Sequence, residues 1–131
     1  MTFRSARGNL PKAALEQACA NILVGHGKTY RLSLAVGMPD HVHLLLCPLE
    51  DGGGLCFDLS DIMKGIKGTS ARRINQLLGT AGTVWQEGYF DRIIRDESEL
   101  QRVFAYTLNN PVRAGLADDP WRYPYLLIPS G

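Results

Sequence analysis

The chain is poor in cysteine, has no long apolar run and carries almost no net charge, and each shortage argues against a class of protein. Cys19, Cys47 and Cys56 are an odd number without a CxxC pair, which argues against a disulfide framework and against a thiolate zinc site. A reducing, cytoplasmic compartment is the expectation. No stretch approaches the roughly 18 consecutive apolar residues of a membrane span, and the N-terminus lacks the basic-then-apolar pattern of an export signal, so no membrane association is expected. A net charge of +1, from 14 Lys and Arg against 13 Asp and Glu, lacks the clear cationic excess that marks many nucleic-acid binders. What is left is ordinary globular composition, 131 residues with 45% hydrophobic and 21% charged side chains, expected to form one domain over 1–131.

Element signals follow in a simple order. Thr2 to Ala6 reads as a short strand. Asn9-Leu10-Pro11 opens a helix to about Val24, whose stripe of Ala14, Leu15, Ala18, Cys19 and Ile22 has helical spacing. Tyr30–Val36 and His41–Cys47 read as a hairpin across the Gly37–Asp40 turn. After the glycine-rich Glu50–Gly54 connection, a second helix begins at Asp58 or Ser60 and runs to about Leu78. Thr83–Arg95 has the aromatic and β-branched content of one or two strands, bent at Glu87-Gly88. Asp96 and Glu99 have capping-box spacing and start a helix that ends by Asn110, before Pro111; from Asp118 the tail is expected to be loop-like. This order predicts an α+β fold: a ferredoxin-like or RRM-like antiparallel sheet with helices packed on one face and a C-terminal helix that bears a tyrosine.

Two clusters carry chemistry. In the strand HVHLLLC, side chains alternate, so Val42, Leu44 and Leu46 face one way and His41, His43 and Leu45 the other. The apolar set belongs beneath the helices. The two imidazoles share the opposite face, near enough to converge on one metal ion, although histidines on a wet sheet face are the commoner use of such a pair. In the last helix, Leu100, Val103, Phe104, Thr107 and Leu108 fall in one arc, and Tyr106 lies roughly 130° from its centre. Asn110 follows one turn later, so its amide shares a face with the phenol. That amide suits a hard cation, Mg²⁺ or Mn²⁺, and serves equally as a helix cap. Lys64, Lys67, Arg72 and Arg73 form a basic patch on the second helix, readable as a phosphate track or as a solvated face.

MPDHVHLLL (38–46), KGTSARRIN (67–75), VWQEGYFDRIIRDESEL (84–100) and YTLNNPVRAGL (106–116) resemble, in this order, the motifs of the single-tyrosine HUH transposases, nearest the REP-associated tyrosine transposase branch. The resemblance implies a metal-dependent single-strand DNA endonuclease and strand transferase acting at hairpins or palindromes through a 5′-phosphotyrosine. Residue by residue, it implies His41, His43 and Asn110 as ligands of Mg²⁺ or Mn²⁺ and Tyr106 as the nucleophile. Lys64, Lys67, Arg72, Arg73 and Arg113 are the expected DNA contacts, and the assembly it implies is either a monomer or a homodimer. The rival readings are a non-catalytic nucleic-acid-binding module on an RRM-like sheet and a relaxase or replication-initiator nickase.

Overall fold

In the computed structural model, which describes residues 1–129, the strands are β1 (Thr2–Arg4), β2 (Tyr30–Met38), β3 (His41–Pro48) and β4 (Leu126–Leu127). The helices are α1 (Lys12–Gly25), α2 (Leu59–Leu78), α3 (Glu97–Leu108) and the one-turn α4 (Asn110–Arg113). The four strands form one antiparallel sheet in the order β1-β3-β2-β4, so β3 is paired on both sides.

Local chemistry explains where the helices begin and end. Pro11 caps α1, where its missing N–H costs nothing. The Asp58 carboxylate accepts from the N–H groups of Ser60 and Asp61 at the start of α2, and Gly79 closes that helix with φ 65°, a left-handed conformation that glycine adopts without a Cβ penalty. Asp96 caps α3 by accepting from Glu99 N–H. Gly25, the last residue of α1, is required by packing, because a Cβ there would lie 2.4 Å from the Tyr30 hydroxyl, which donates to Ile22 O at 2.5 Å.

The sheet is covered on both faces. On one, the expected stripe of α1 and the buried Ile62, Met63, Ile66 and Ile74 of α2 pack on Val42, Leu44 and Leu32. On the other, Leu100, Val103, Phe104 and Leu108 of α3 pack on Leu34, Val36, Met38 and Leu45. Two helices thus share one face, as expected, and the tyrosine-bearing helix takes the opposite face. A register shift at Ser33 makes this possible. Tyr30 and Leu32 point to the α1/α2 side, but beyond the bulge Leu34, Val36 and Met38 point to the α3 side. One extra residue reverses the phase of the alternation.

Two segments depart from expectation. Thr83–Arg95 forms no regular strand: it touches β1 through isolated bridges at Ser5↔Trp85 and Thr2↔Phe90. Between the bridges three residue steps from Ser5 to Thr2 face five from Trp85 to Phe90, so after Gln86, whose N–H still donates to Arg4 O at 2.8 Å, the ladder breaks at Glu87–Tyr89. Lys67 holds this excursion, donating to Gln86 O at 2.7 Å and Gly88 O at 2.6 Å. The tail beyond Asp118, expected to be loop-like, contains a 3-10 turn at Pro120–Arg122 and then β4, which covers the outer edge of β2. Its anchor is Tyr123, buried, with its hydroxyl donating to Gly37 O at 2.5 Å.

Truncation should separate core from surface. Met63→Ala, at a fully buried position, is expected to cost about 2–5 kcal/mol of stability. Leu77→Ala, at an exposed position of the same helix, should stay within about 0.5 kcal/mol; urea unfolding monitored by circular dichroism checks both.

Candidate active site

The site begins on β3. Strand alternation sends Val42 into the α1/α2 core and turns His41 and His43 to the α3 side, where their Nε2 atoms lie 3.1 Å apart with the rings perpendicular. Each imidazole is held from behind. His41 Nδ1 lies 2.6 Å from the carboxylate of Asp40, in the hairpin turn, and His43 Nδ1 lies 2.9 Å from the Thr2 hydroxyl on β1. A carboxylate only accepts, so His41 carries a proton on Nδ1, and in the neutral ring its Nε2 presents a lone pair. The Thr2 hydroxyl can donate or accept, so His43 can present either a proton or a lone pair at Nε2. The hydrogen bond from His41 holds the Asp40 carboxyl below its ordinary range. Burial, reinforced by the positive charges of His41, the chain N-terminus, Arg4 and Arg113, pushes His43 down to about 4.

α3 and α4 supply the rest. The Tyr106 ring is 65% exposed, as expected for a side chain outside the core arc. Asn110 stands one turn later, where Pro111 and the non-helical Asn109 break the helix. Tyr106, Asn110, Thr107 and Val103 line a cavity of about 180 Å³ together with His43 and Thr2. Arg113 ties this side together. Its guanidinium carbon lies 3.7 Å from the Tyr106 ring centroid, and Nη2 donates to Tyr106 O at 2.6 Å and to the Asn110 side-chain oxygen. Arg113 therefore belongs to the tyrosine pocket.

The donor set can be tested against a divalent ion. Two metal–nitrogen bonds of about 2.1 Å meeting at a right angle span about 3.0 Å, close to the observed Nε2 separation. Among the described residues no cluster of three or more His, Cys, Asp or Glu is placed to hold an ion. The Asn110 side-chain oxygen, which keeps a second lone pair besides the one facing Arg113, has the chemistry of a neutral third ligand. The residues present fit a cation bound by two imidazoles and an amide.

The remaining expected contacts lie elsewhere. Lys64, Arg72 and Arg73 are exposed on α2, across the sheet from Tyr106. Lys67 is half-buried and its ammonium is engaged by two carbonyls. Sequence reasoning missed Thr2, whose role depends on β1 pairing with β3, and it grouped Arg113 with the α2 cations. The latter had a signal: seven residues after Tyr106 and three after Asn110 are both same-face spacings on a helix.

A family model described as "Transposase IS200 like" matches residues 3–110. The chain belongs to the IS200-like transposase family. An uncharacterized protein of Haemophilus influenzae is 28% identical over 102 residues, covering 63% of this chain and 54% of that relative; the chain thus spans about half the length of the curated relative it matches. Among solved structures, a REP-associated tyrosine transposase bound to a REP hairpin superposes with a TM-score of 0.69 at 22% identity, over 95% of this chain and 72% of the other. That likeness shows the shared fold.

His43 gives a pH signature. Its ring resonances should titrate near 4 in chelator-treated protein, read by NMR. Because the unfolded chain binds a proton at about 6.5 that the folded chain refuses, the His43 contribution to stability should be full above that value and fall as pH drops toward 4. In His43→Gln this part of the pH dependence of urea unfolding should disappear.

Proposed function

We propose that this transposase-family chain is a metal-dependent single-strand DNA endonuclease and strand transferase, nearest the REP-associated branch, acting at hairpins or palindromes through Tyr106. The observation that carries the reading is the shared pocket: an exposed phenol, an amide and an imidazole from α3, α4 and β3 line one small cavity. A pure binding module has no need of that convergence.

In the reaction, the Tyr106 oxygen attacks the scissile phosphorus. The new P–O bond to tyrosine forms as the bond to the 3′ oxygen breaks in line, leaving a 5′-phosphotyrosine and a free 3′ hydroxyl. The phenol proton passes to solvent, and the departing 3′ oxygen takes one up. A divalent cation held by His41, His43 and Asn110 would polarise the phosphate and offset its charge. Asp40 and Thr2 keep the imidazole nitrogens aimed. Arg113 restrains the phenol ring and fixes the Asn110 amide, and its charge lies beside the position the phosphate would take. Because a phosphodiester replaces a phosphodiester, a 3′ hydroxyl can reverse the step and join strands without another energy source.

Labelled single strands from palindromes flanking the gene, incubated with the protein and Mn²⁺ or Mg²⁺, should yield a protein-linked 3′-side fragment on denaturing gels. Tyr106→Phe and a chelator should each remove that band; cleavage that survives Tyr106→Phe overturns the assignment, and specific binding without an adduct favours the binding-module reading. Asp40→Asn, which replaces the carboxylate behind His41 with a weaker acceptor, should lower Mn²⁺ affinity about 10- to 100-fold in calorimetric titration.

A further inference from the structure

The 84–90 segment carries three aromatic residues, Trp85, Tyr89 and Phe90, and the fold gives each a different setting. Trp85 is buried edge-on against Phe3, and its indole N–H donates to Ser70 Oγ at 2.9 Å. Tyr89 is half-buried against the α1/α2 core. Phe90 alone of the three is open, with 71% of its surface exposed.

Its position is tightly fixed. Phe90 N–H donates to Thr2 O at 2.9 Å and Thr2 N–H donates to Phe90 O at 3.0 Å. The same Thr2 holds His43 through its hydroxyl, so one residue of β1 fixes both the backbone that carries the Phe90 ring and the imidazole. Phe90 and Thr2 also line two neighbouring depressions. One is the pocket of His43, Tyr106 and Asn110; the other follows the sheet edge past Arg4 and Gln86–Tyr89. That second groove shares Gln86–Tyr89 with a third, which reaches Lys64 and Lys67 on α2. Three depressions thus follow one another from the tyrosine pocket round the β1 edge to Lys64 and Lys67 of α2, each sharing lining residues with the next, and Phe90 lines the first two.

Charge along this edge is mixed. Glu87 and Asp91 accompany Arg4 and Arg92, and Arg92 is paired with Glu99 at 3.0 Å. Phosphate attraction there is weak, whereas an exposed aromatic face is indifferent to charge and accepts any base. A solvent-exposed phenyl ring carried on a paired backbone beside the tyrosine pocket has the chemistry of a stacking platform.

We infer that Phe90 is a nucleobase-binding residue that stacks on an unpaired base next to the scissile phosphate, at the start of a single-strand path round the β1 edge. The inference rests on the single-strand DNA reading above. The probe is the single strand from the flanking palindromes, fluorescein-labelled for anisotropy and, separately, with thymines replaced one at a time by 5-iododeoxyuridine for photocrosslinking. Phe90→Ala should weaken binding roughly 5- to 150-fold, with the salt dependence unchanged because no phosphate contact is lost. Phe90→Trp should retain affinity and Phe90→Leu should not, since leucine is apolar without a π face. One iodouracil position should crosslink to Phe90, and adduct formation should show a raised KM with kcat kept within a few-fold.

Wild-type affinity in Phe90→Ala, or crosslinks confined to other segments, overturns the platform. So does a concentration-dependent dimer, seen in sedimentation, that Phe90→Ala dissolves while leaving DNA binding intact. If the wild-type protein binds no single strand, the parent reading fails and the platform with it. If wild type binds and forms the Tyr106 adduct while Phe90→Ala matches it, the platform alone fails.

Discussion

The alternation of β3 is the constraint on which the molecule depends. Held between β1 and β2, this strand cannot send Val42 and Leu44 into the α1/α2 core without presenting His41 and His43 on the other side. A slip of one residue would bury both imidazoles and expose two core side chains. Core formation and site formation are therefore one event. The same strand explains why the histidine face is not simply wet: Leu45 shares it and requires the cover that α3 provides.

The site is assembled from separate parts of the chain, each held by backbone contacts outside the chemistry. Thr2 comes from β1, Asp40 to His43 from the hairpin, Phe90 from the irregular strap along the β1 edge, and Tyr106 to Arg113 from the helix pair broken at Asn109. Thr2 has the widest reach, because its backbone pairs with Phe90 while its hydroxyl meets His43. Lys67, on α2 beside the strap, stabilises it by satisfying two carbonyls that the broken ladder leaves without strand partners. A lysine that reads as a phosphate contact in sequence thus also holds the scaffold.

Electrostatics near the site are local. The chain as a whole is nearly neutral, and Arg113 lies directly on the phenol ring. In the proposed reading, one guanidinium and an exposed aromatic ring at the pocket mouth take the place of a broad cationic surface in holding nucleic acid. The exposed α2 cations stand across the sheet from the pocket.

By itself the sequence determined whatever depends on short-range periodicity. The helical stripe of α1, the caps at Asp58 and Asp96, the common face of His41 and His43, and the exposure of Tyr106 all follow from spacings of two, three or four residues, which a strand or helix converts directly into direction. Tertiary structure decided the rest, because it depends on partners distant in the chain. The bulge at Ser33 reverses the face of β2 only because that strand must serve two cores. Thr83–Arg95 has strand-like composition, but its mismatched bridges to β1 leave it irregular. Leu126–Leu127 becomes a strand because the edge of β2 needs partners. Which cations reach the tyrosine followed from the side of the sheet each helix covers, a relation between distant segments that no local spacing encodes.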